Sequence, residues 1–409
     1  MATHTSSDVI VAGGGPAGLS AGLALAHAGL SVTVVDPARD PSQDRRTSAL
    51  MVASVTMLEE LGVWGICGHA SAPLERMRII DDTGRLFRSP SVEFAAGEIG
   101  EPAFGWNIPN AELVAALRQR IGETAGARTI AASIGHVDLD EDAATVTLTT
   151  GESVSAPLLV AADGRNSMCR AAAGIGVDDW SYDQAAIVLD LEHERPHGNV
   201  STEFHRPSGP FTLVPLPGNR SSLVWVETPK MADALSTFDD EALAEEIMRL
   251  SHRILGKVRI TGPRGLYPLS GLVARRFAAK RVALVGEAGH VVPPIGAQGL
   301  NLGLRDAASI AEIAADAVHA GEDPGGKRCC GDYDRARRID VVSRAGAIDL
   351  LNRTLLADLL PAQMMRAAGL SALGSIGPLR RIAMREGVSP GYRLPRLMRR
   401  QESALLRGT

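Results

Sequence analysis

Cysteine is scarce in this chain, and its positions suit neither metal binding nor disulfide pairing. The four cysteines, Cys67, Cys169, Cys329 and Cys330, form no CxxC pair and no cluster with histidine. Structural zinc sites and the frameworks of small secreted domains depend on such spacings. The sequence therefore predicts no metal site and no disulfide framework, and it fits a reducing cytoplasm.

An excess of positive charge is missing as well. Lysine and arginine number 42 against 47 aspartates and glutamates, which gives a net charge of -5 and a pI near 6.1. Nucleic-acid binding calls for a basic face that neutralises phosphates. The charge balance gives no reason to expect nucleic acid as a partner, and it favours a small molecule.

Charged side chains are absent from residues 9–35, a run long enough to span a bilayer. Gly13, Gly14 and Gly15, followed by Pro16, interrupt this run. The preceding MATHTSSD also lacks the basic flank of a signal peptide. We therefore expect neither a membrane anchor nor a signal peptide here, but a short strand followed by a helix.

The same stretch predicts a βαβ unit. A buried strand over residues 8–12 precedes a helix over residues 17–28, which Gly29 closes, and residues 31–35 form a second strand rich in β-branched side chains. This arrangement is typical of dinucleotide-binding folds.

A GxGxxG motif lies between the first strand and the helix. Gly13 permits a tight turn, Gly15 lets the backbone approach a pyrophosphate at the positive helix N-terminus, and Gly18 lets the helix pack on the sheet. Asp36, at the end of the next strand, would accept hydrogen bonds from an adenosine ribose. The motif predicts a dinucleotide, and by itself it leaves NAD and FAD open.

Two later segments favour FAD. Asp163 and Gly164 form a turn at the end of a predicted strand over residues 158–161. Glu287 follows another predicted strand and precedes the glycine-rich residues 293–301. An acid at a strand end can bind ribityl hydroxyls, and the positive end of the following helix would stabilise a reduced, anionic flavin.

The rest of the chain predicts an inserted sheet and a helical end. Strands separated by turns cover residues 186–226, a helix covers residues 239–255, and the chain beyond Asp332 is mostly helical. The predicted fold class is α/β, α+β overall, with a Rossmann-like FAD-binding domain, an inserted β-sheet substrate domain and a helical C-terminal region. The expected boundaries are 1–76, 98–180 and 270–330 for the FAD-binding domain, 77–97 and 181–269 for the substrate domain, and 331–409 for the helical region.

In this order the three segments resemble the FAD-dependent aromatic hydroxylases typified by p-hydroxybenzoate hydroxylase. The resemblance implies FAD contacts from the motif residues, from an arginine near the flavin, and from a helix that faces the pyrophosphate. These residues are Gly13, Gly15, Ala17, Gly18, Asp36, Arg46, Asn110, Arg118, Asp163, Gly164, Glu287, Gly296, Ala297, Gln298, Gly299, Leu300 and Asn301. The family usually has Asp where this chain has Glu287, which changes the reach of the side chain and keeps its charge.

A narrower resemblance is carried by residues 204–216 with Trp225, and by residues 294–306. Both segments are similar to the ubiquinone-biosynthesis hydroxylases. That resemblance implies hydroxylation of a polyprenylated phenol through a flavin hydroperoxide, with dioxygen and NAD(P)H or another electron donor as co-substrates. The cofactor carries such chemistry, so the sequence singles out no catalytic acid or base. The alternatives are a hydroxylase of another phenol, a flavin-dependent reductase of the same fold, and a non-catalytic subunit that binds FAD or a prenylated quinol.

The substrate pocket and the chain end complete these expectations. Apolar side chains that recur with a period of two are more often part of a hydrophobic core than of a pocket. Only those on the face toward the flavin would touch the substrate. The candidates for this pocket are Phe211, Leu213, Pro215, Trp225 and Pro293. His290 is expected to be packed or bonded to backbone. The C-terminal arginines are expected to be a solvated face, or to contact an anionic membrane or a partner in a quinone-biosynthesis complex, which fits a cytoplasmic protein peripheral to the inner membrane.

Overall fold

The computed structural model describes residues 5–84, 91–356, 376–388 and 394–400. Within them the strands are β1 Thr5–Ser6, β2 Val9–Ala12, β3 Val32–Asp36, β4 Thr47–Met51, β5 Ala72–Pro73, β6 Arg76–Asp81, β7 Val92–Ala95, β8 Gly105–Pro109, β9 Ala127–Ala131, β10 Ile134–Leu139, β11 Ala144–Leu148, β12 Ser153–Ala156, β13 Leu158–Ala161, β14 Val177–His193, β15 Val200–Arg206, β16 Gly209–Leu216, β17 Arg220–Glu227, β18 Val258–Ala274, β19 Ala278–Ala279, β20 Val282–Leu284 and β21 His290–Val291. The helices are α1 Pro16–His27, α2 Val52–Glu60, α3 Trp64–Cys67, α4 Asn110–Glu123, α5 Met168–Ala172, α6 Pro229–Ser236, α7 Asp240–Leu250, α8 Gln298–His319, α9 Lys327–Leu356 and α10 Gly377–Val388.

A mainly parallel sheet holds the N-terminal motif. Its strand order is β19-β20-β13-β2-β3-β9, and all pairings except that of β19 are parallel. Strands β2, β3 and β13 are buried along their whole length, because both faces of the sheet are covered. The sheet confirms the predicted Rossmann-like fold, and the predicted bounds agree with the observed ones to within a residue or two.

Successive side chains of β2 enter two different cores. Val9 and Val11 pack with helices α1, α4 and α8, while Ile10 and Ala12 pack with strands β11 to β13 on the other side. A four-stranded sheet of order β1-β12-β11-β10 covers that second face. The alternation follows from the period of two along a strand.

The inserted segment forms an eight-stranded sheet of order β21-β18-β14-β17-β16-β15-β6-β7. Strands β6 and β7 come from before α4, and β15 receives β6 in parallel register. Residues from both predicted parts of the substrate domain therefore meet in one sheet. Helices α6 and α7 cover one of its faces. The exact division of the chain into three regions remains a prediction.

The C-terminal region returns to the N-terminal fold. Helix α9 packs along α8, and Tyr333 donates a hydrogen bond to the backbone oxygen of Leu284 at 2.7 Å. Met398 is buried against the core that holds α2 and α8, and Arg396 pairs with Glu312 at 3.5 Å. Among the described residues, no helix combines the length and apolar character needed to span a bilayer.

Candidate FAD site

Of the three glycines of the GxGxxG motif after β2, two are fixed by packing and one faces open space. Gly13 has φ +113°, and a Cβ there would lie 2.2 Å from the backbone oxygen of Ala162. A Cβ at Gly18 would lie 2.1 Å from the oxygen of Gly13. At Gly15, the N-cap of α1, nothing lies within 4 Å of such a Cβ. The helix N-terminus therefore has room in front of it for an anionic group, as a pyrophosphate requires.

Ala17 joins this turn to the later glycine-rich segment. A Cβ at Gly286 would lie 3.1 Å from the Ala17 Cβ, and one at Gly303 would lie 3.2 Å from it. Small residues at these three positions let α1, the end of β20 and α8 approach closely. Segments far apart in the sequence thus meet at one end of the parallel sheet, as predicted.

Asp36 lies directly against the glycine turn. A Cβ at Gly14 would lie 2.1 Å from Asp36 Cγ, and the Asp36 carboxylate pairs with Arg118 at 3.0 Å. Arg118 also donates to the backbone oxygen of Arg39 at 2.8 Å. The structure brings together Asp36 and Arg118, two predicted site residues from a strand and a helix. Their place beside the turn suits recognition of an adenosine ribose.

Arg46 is held by a carboxylate that sequence reasoning did not single out. Its Nε and Nη2 donate to Asp44 at 2.9 and 2.8 Å, and Asn110 Nδ2 donates to the same carboxylate at 3.0 Å. Ser48 completes the group by donating to Asn110 Oδ1 at 2.6 Å. Burial would raise the pKa of Asp44, but Arg46 outweighs it and holds that pKa below its usual value. The only sequence signal for Asp44 was its position two residues before Arg46.

The guanidinium of Arg46 also reaches both sides of the site. Its Cζ lies 5.9 Å from the ring centre of Tyr267 on β18, and its Nη1 lies 4.0 Å from Glu287 Oε1. Arg46 therefore links the acid that follows β20 with the eight-stranded sheet.

The Asp163 turn packs on the GxGxxG turn and is held by hydrogen bonds from residues that follow it. The Asp163 carboxylate accepts from Ser167 Oγ at 2.6 Å and from the backbone N–H of Cys169 at 3.1 Å. Gly164 has φ +84°, a left-handed conformation that favours glycine. Asp163 thus shapes the start of α5 in addition to any contact with the cofactor.

The loop before α8 contains two residues in the left-handed conformation, Gly296 at φ 66° and Ala297 at φ 53°. Alanine is strained there. Asn301 holds the loop, since its Nδ2 donates to the backbone oxygens of Ala297 at 2.7 Å and of Ala49 at 2.8 Å. Gly296 and Gly299 each face open space where a Cβ would lie. The first turn of α8 therefore presents free backbone N–H groups beside unfilled volume.

The remaining members of this segment differ in exposure. Leu300 packs against the main core, Pro293 is buried, and Gln298 is half-buried. Gln298 Nε2 donates back to the oxygen of Gly296 at 3.0 Å. Side chains of this segment thus brace the loop, and its backbone faces outward.

His290 is packed as predicted, but its partner is a carboxylate and not the backbone. Its Nε2 lies 2.7 Å from Asp306 Oδ2, and both side chains are buried. Asp306 also accepts from the N–H of Gly286 at 2.9 Å and from Arg337 Nε at 2.6 Å. Asp306 and Arg337 were not predicted as site residues. Asp306 lies in the 294–306 segment, but its role depends on a partner 31 residues further on.

Three predicted substrate-pocket residues belong instead to a core on the far face of the large sheet. Phe211, Leu213 and Trp225 are 0%, 3% and 1% exposed, and they pack with Leu243 and Ile247 of α7. A side chain enclosed in this way offers no surface to a ligand. We therefore correct this part of the prediction.

Pro215 is likewise buried. Its backbone oxygen accepts from Asn107 Nδ2 at 3.0 Å, which ties β16 to β8.

On the opposite face of that sheet, Val188, Thr212 and Val224 are half-buried, Ala186 is buried and Tyr267 is exposed. Val188 pairs with Val224, and Val224 pairs with Thr212. Ala186 pairs with Tyr267, the residue that Arg46 contacts. We call these residues, Ala186, Val188, Thr212, Val224 and Tyr267, the valine face.

A polar pair borders the valine face. Asp190 and Ser222 are directly opposite each other in the register. Asp190 Oδ1 and Ser222 Oγ are buried, and no described residue supplies either with a hydrogen bond of good geometry. Arg220 lies 3.5 Å from the other Asp190 oxygen. Burial raises the pKa of the Asp190 carboxyl, and Arg220 only partly opposes this rise.

Comparison with known proteins agrees with this geometry. A family model described as an FAD binding domain matches residues 6–328. The chain belongs to this FAD-binding family. The ubiquinone hydroxylase UbiL of Rhodospirillum rubrum is 38% identical to this chain over 403 residues, which are 96% of the chain and 92% of that protein. The 3-demethoxyubiquinol 3-hydroxylase of Escherichia coli is 30% identical, over 94% of the chain and 98% of that protein.

A solved structure shares the fold. The p-nitrophenol 4-monooxygenase PnpA of Pseudomonas putida superposes with a TM-score of 0.78, covering 96% of this chain and 100% of that chain at 19% identity. The unfilled volume in front of Gly15 and beside Gly299 fits a cofactor held by helix N-termini at both of its ends.

Proposed function

We propose that this chain is an FAD-dependent monooxygenase that hydroxylates the aromatic ring of a polyprenylated phenol in ubiquinone biosynthesis. Two similar proteins carry names that place them in ubiquinone chemistry, and their similarity extends over nearly the whole chain. NAD(P)H or another donor would supply electrons, and dioxygen would supply the hydroxyl oxygen. When bound and reduced, FAD supplies the oxygen activation that such a hydroxylation requires.

The observation that carries this proposal is the position of Arg46. It lies between Glu287, at the cofactor side, and Tyr267, on the valine face. A ring placed on the valine face would therefore lie next to the flavin end of the site. Val188 and Val224 on this face are half-buried, whereas the rings on the far face are fully buried.

The chain's own residues would have three tasks. The backbone N–H groups near Gly299 would donate to the flavin and favour its reduced, anionic form. The apolar side chains of the valine face would exclude water from the reacting atoms. Asp190, whose side chain is 24% exposed at the border of that face, would accept a hydrogen bond from a hydroxyl of the phenol and orient its ring.

The C-terminal region would bring the enzyme to its apolar substrate. On α10 the exposed side chains of Leu379 and Ile382 are 43% and 60% accessible, and Arg381 and Arg385 lie beside them in the sequence. Basic and apolar groups on one short helix suit a peripheral contact with an anionic membrane. Arg393, Arg407 and Glu402, which also belong to the predicted basic end, lie outside the described residues.

Purified protein tests the proposal when it is reconstituted with FAD and supplied with NADH or NADPH. We expect a short-chain prenylated phenol to increase donor oxidation and oxygen uptake together, and the same phenol without its prenyl group to do so less. Donor oxidation that depends on substrate but consumes no oxygen would indicate a reductase of this fold. Protein that binds no FAD, or shows no response to any phenol, would contradict the proposal.

A further inference from the structure

A buried chain of charged groups connects the two flavin-side segments of the site through helix α9. It begins at the N–H of Gly286 and His290 Nε2, which both contact Asp306. Arg337 donates to Asp306 at 2.6 Å and to Asp340 at 2.8 Å. The first half of the connection therefore runs from the segment around Glu287 into the middle of α9.

The second half returns to the loop before α8. Asp340 accepts from Arg305 at 2.8 and 3.0 Å and from Arg344 Nε at 2.9 Å. Arg344 Nη1 in turn approaches Gln298 Oε1 at 3.5 Å. Gln298 is the first residue of α8 and braces Gly296. Arg344 is thus the member of the chain that lies next to the predicted flavin loop.

The charges in this chain do not cancel. Three guanidinium groups, those of Arg305, Arg337 and Arg344, face the two carboxylates of Asp306 and Asp340. Burial would raise the pKa of each carboxyl, but Arg337 and its neighbours outweigh burial and hold both pKa values below the usual range. Both carboxylates are therefore ionised at neutral pH, and the group keeps one net positive charge before any charge on His290 is counted.

The surplus charge is poorly screened. Arg337 is 3% exposed, Arg305 is 8% exposed, and the side chain of Arg344 is 18% exposed. Buried charges interact over longer distances than charges in water do. Two guanidinium nitrogens, Arg305 Nε and Arg337 Nη2, are buried and receive no hydrogen-bond partner from the described residues.

We propose that Arg344, held by Asp340, is a positioning and electrostatic residue that raises the reduction potential of FAD bound beside Gln298. A net positive charge behind the N-terminus of α8 adds to the positive end of the helix dipole. Both favour the more negative, reduced flavin over the oxidised one. The proposal rests on FAD binding at this site and not on the hydroxylation reaction.

The test is the midpoint potential of FAD bound to the full chain, measured by dye-equilibrated reduction. Arg344→Met removes the charge nearest the loop, and we expect a more negative potential. At a fixed solution potential, the ratio of reduced to oxidised flavin should fall on the order of tenfold. This is the effect of removing one charge about 10 Å away at an intermediate dielectric constant. Arg344→Lys keeps the charge and should stay near the wild type.

A matched control separates local from general charge effects. Arg335 lies on the same helix, and its side chain is 73% exposed, so Arg335→Met should leave the potential unchanged. Asp340→Asn removes a negative charge and should shift the potential in the positive direction. If that variant does not fold, the Met and Lys variants of Arg344 still decide. Equal shifts in these two, or no shift in Arg344→Met, would overturn the proposal.

The dissociation constant of oxidised FAD is measured alongside. Loosening of the loop alone would weaken FAD binding in Arg344→Met without moving the potential, and that outcome contradicts the electrostatic role. A wild-type protein that binds FAD but hydroxylates no phenol would contradict the proposed function and leave this test intact.

Discussion

Asn301 Oδ1 accepts a hydrogen bond from the backbone N–H of Met51 at 2.9 Å, across 250 residues of sequence. The same oxygen accepts from Ser54 Oγ at 2.7 Å. The side chain thereby fastens the start of α8 to the junction of β4 and α2. Because the opposite end of this amide holds Ala297, one residue fixes both the strained loop and its neighbour.

Replacement of Asn301 by Ala should weaken both folding and FAD binding. The change leaves the Met51 N–H and the Ala49 oxygen without this partner, at a cost of about 1–3 kcal/mol in the free energy of unfolding. Urea unfolding and FAD fluorescence titration measure the two effects. Asn301→Asp keeps an acceptor for the Met51 N–H but places a buried carboxylate against the oxygens of Ala49 and Ala297, so its losses should be at least as large. An alanine variant with wild-type FAD affinity would show that Asn301 does not hold the loop.

Gly15 and Gly13 should respond differently to alanine. At Gly15 the added methyl meets no protein atom, so stability should change by only about 0.5 kcal/mol, while FAD affinity should fall at least about tenfold because the methyl enters the space for the pyrophosphate. At Gly13 the methyl would collide with the Ala162 backbone, and the protein itself should be destabilised. Thermal unfolding without FAD and titration with FAD distinguish the two. Unchanged FAD affinity in Gly15→Ala would show that the pyrophosphate does not bind in front of Gly15.

Substitutions on the two faces of the large sheet should have different effects, one on stability and the other on substrate binding. Trp225→Ala should lower the free energy of unfolding by about 3–5 kcal/mol, because it removes a buried ring from the far core. Val224→Phe, one residue away on the valine face, should cost less stability than Trp225→Ala, because Val224 is only half-buried, and it should raise KM for a prenylated phenol. Urea unfolding and steady-state kinetics give both values. If only Trp225→Ala changed KM, the substrate would bind on the far face and not on the valine face.

How far the sequence could predict this molecule differs between the cofactor half and the substrate half. Gly13, Gly15 and Asp36 were predictable because the requirements of a tight turn and a helix N-terminus are local. For Trp225 the alternation was correct, but a period of two cannot tell which face of a sheet meets a helix and which meets a ligand. The far face is the one that α7 covers, and α7 comes from a later part of the chain.

Contacts between residues that are distant in sequence could not be predicted either. Asp44 gave no signal of its own, because its importance comes from Asn110 on α4. The contact between Asp306 and Arg337 joins two helices, and only packing brings their side chains together. Local chemistry predicted the acid near β20 and the glycine-rich loop, whereas the residues that hold them needed the folded structure.

Asp190 should make stability depend on pH in a defined direction. Burial raises the pKa of its carboxyl above the usual 3.8, so the folded state binds this proton more tightly than the unfolded state does. The wild type therefore loses stability as pH rises through the interval between 3.8 and the raised value. Asp190→Asn removes this loss and should be the more stable protein at pH 7, with the difference shrinking toward pH 4. Urea unfolding at both pH values tests this, and a difference that grows toward pH 4 would contradict the burial of this carboxyl.

The most direct measurement follows the oxygen atom. The FAD-reconstituted protein is supplied with a prenylated phenol, an electron donor and isotopically labelled dioxygen in unlabelled water, and the product is analysed by mass spectrometry. An FAD-dependent monooxygenase should place one labelled oxygen atom on the aromatic ring for each donor consumed in coupled turnover. A product that is reduced without gaining oxygen, or that carries oxygen from water only, would contradict this function.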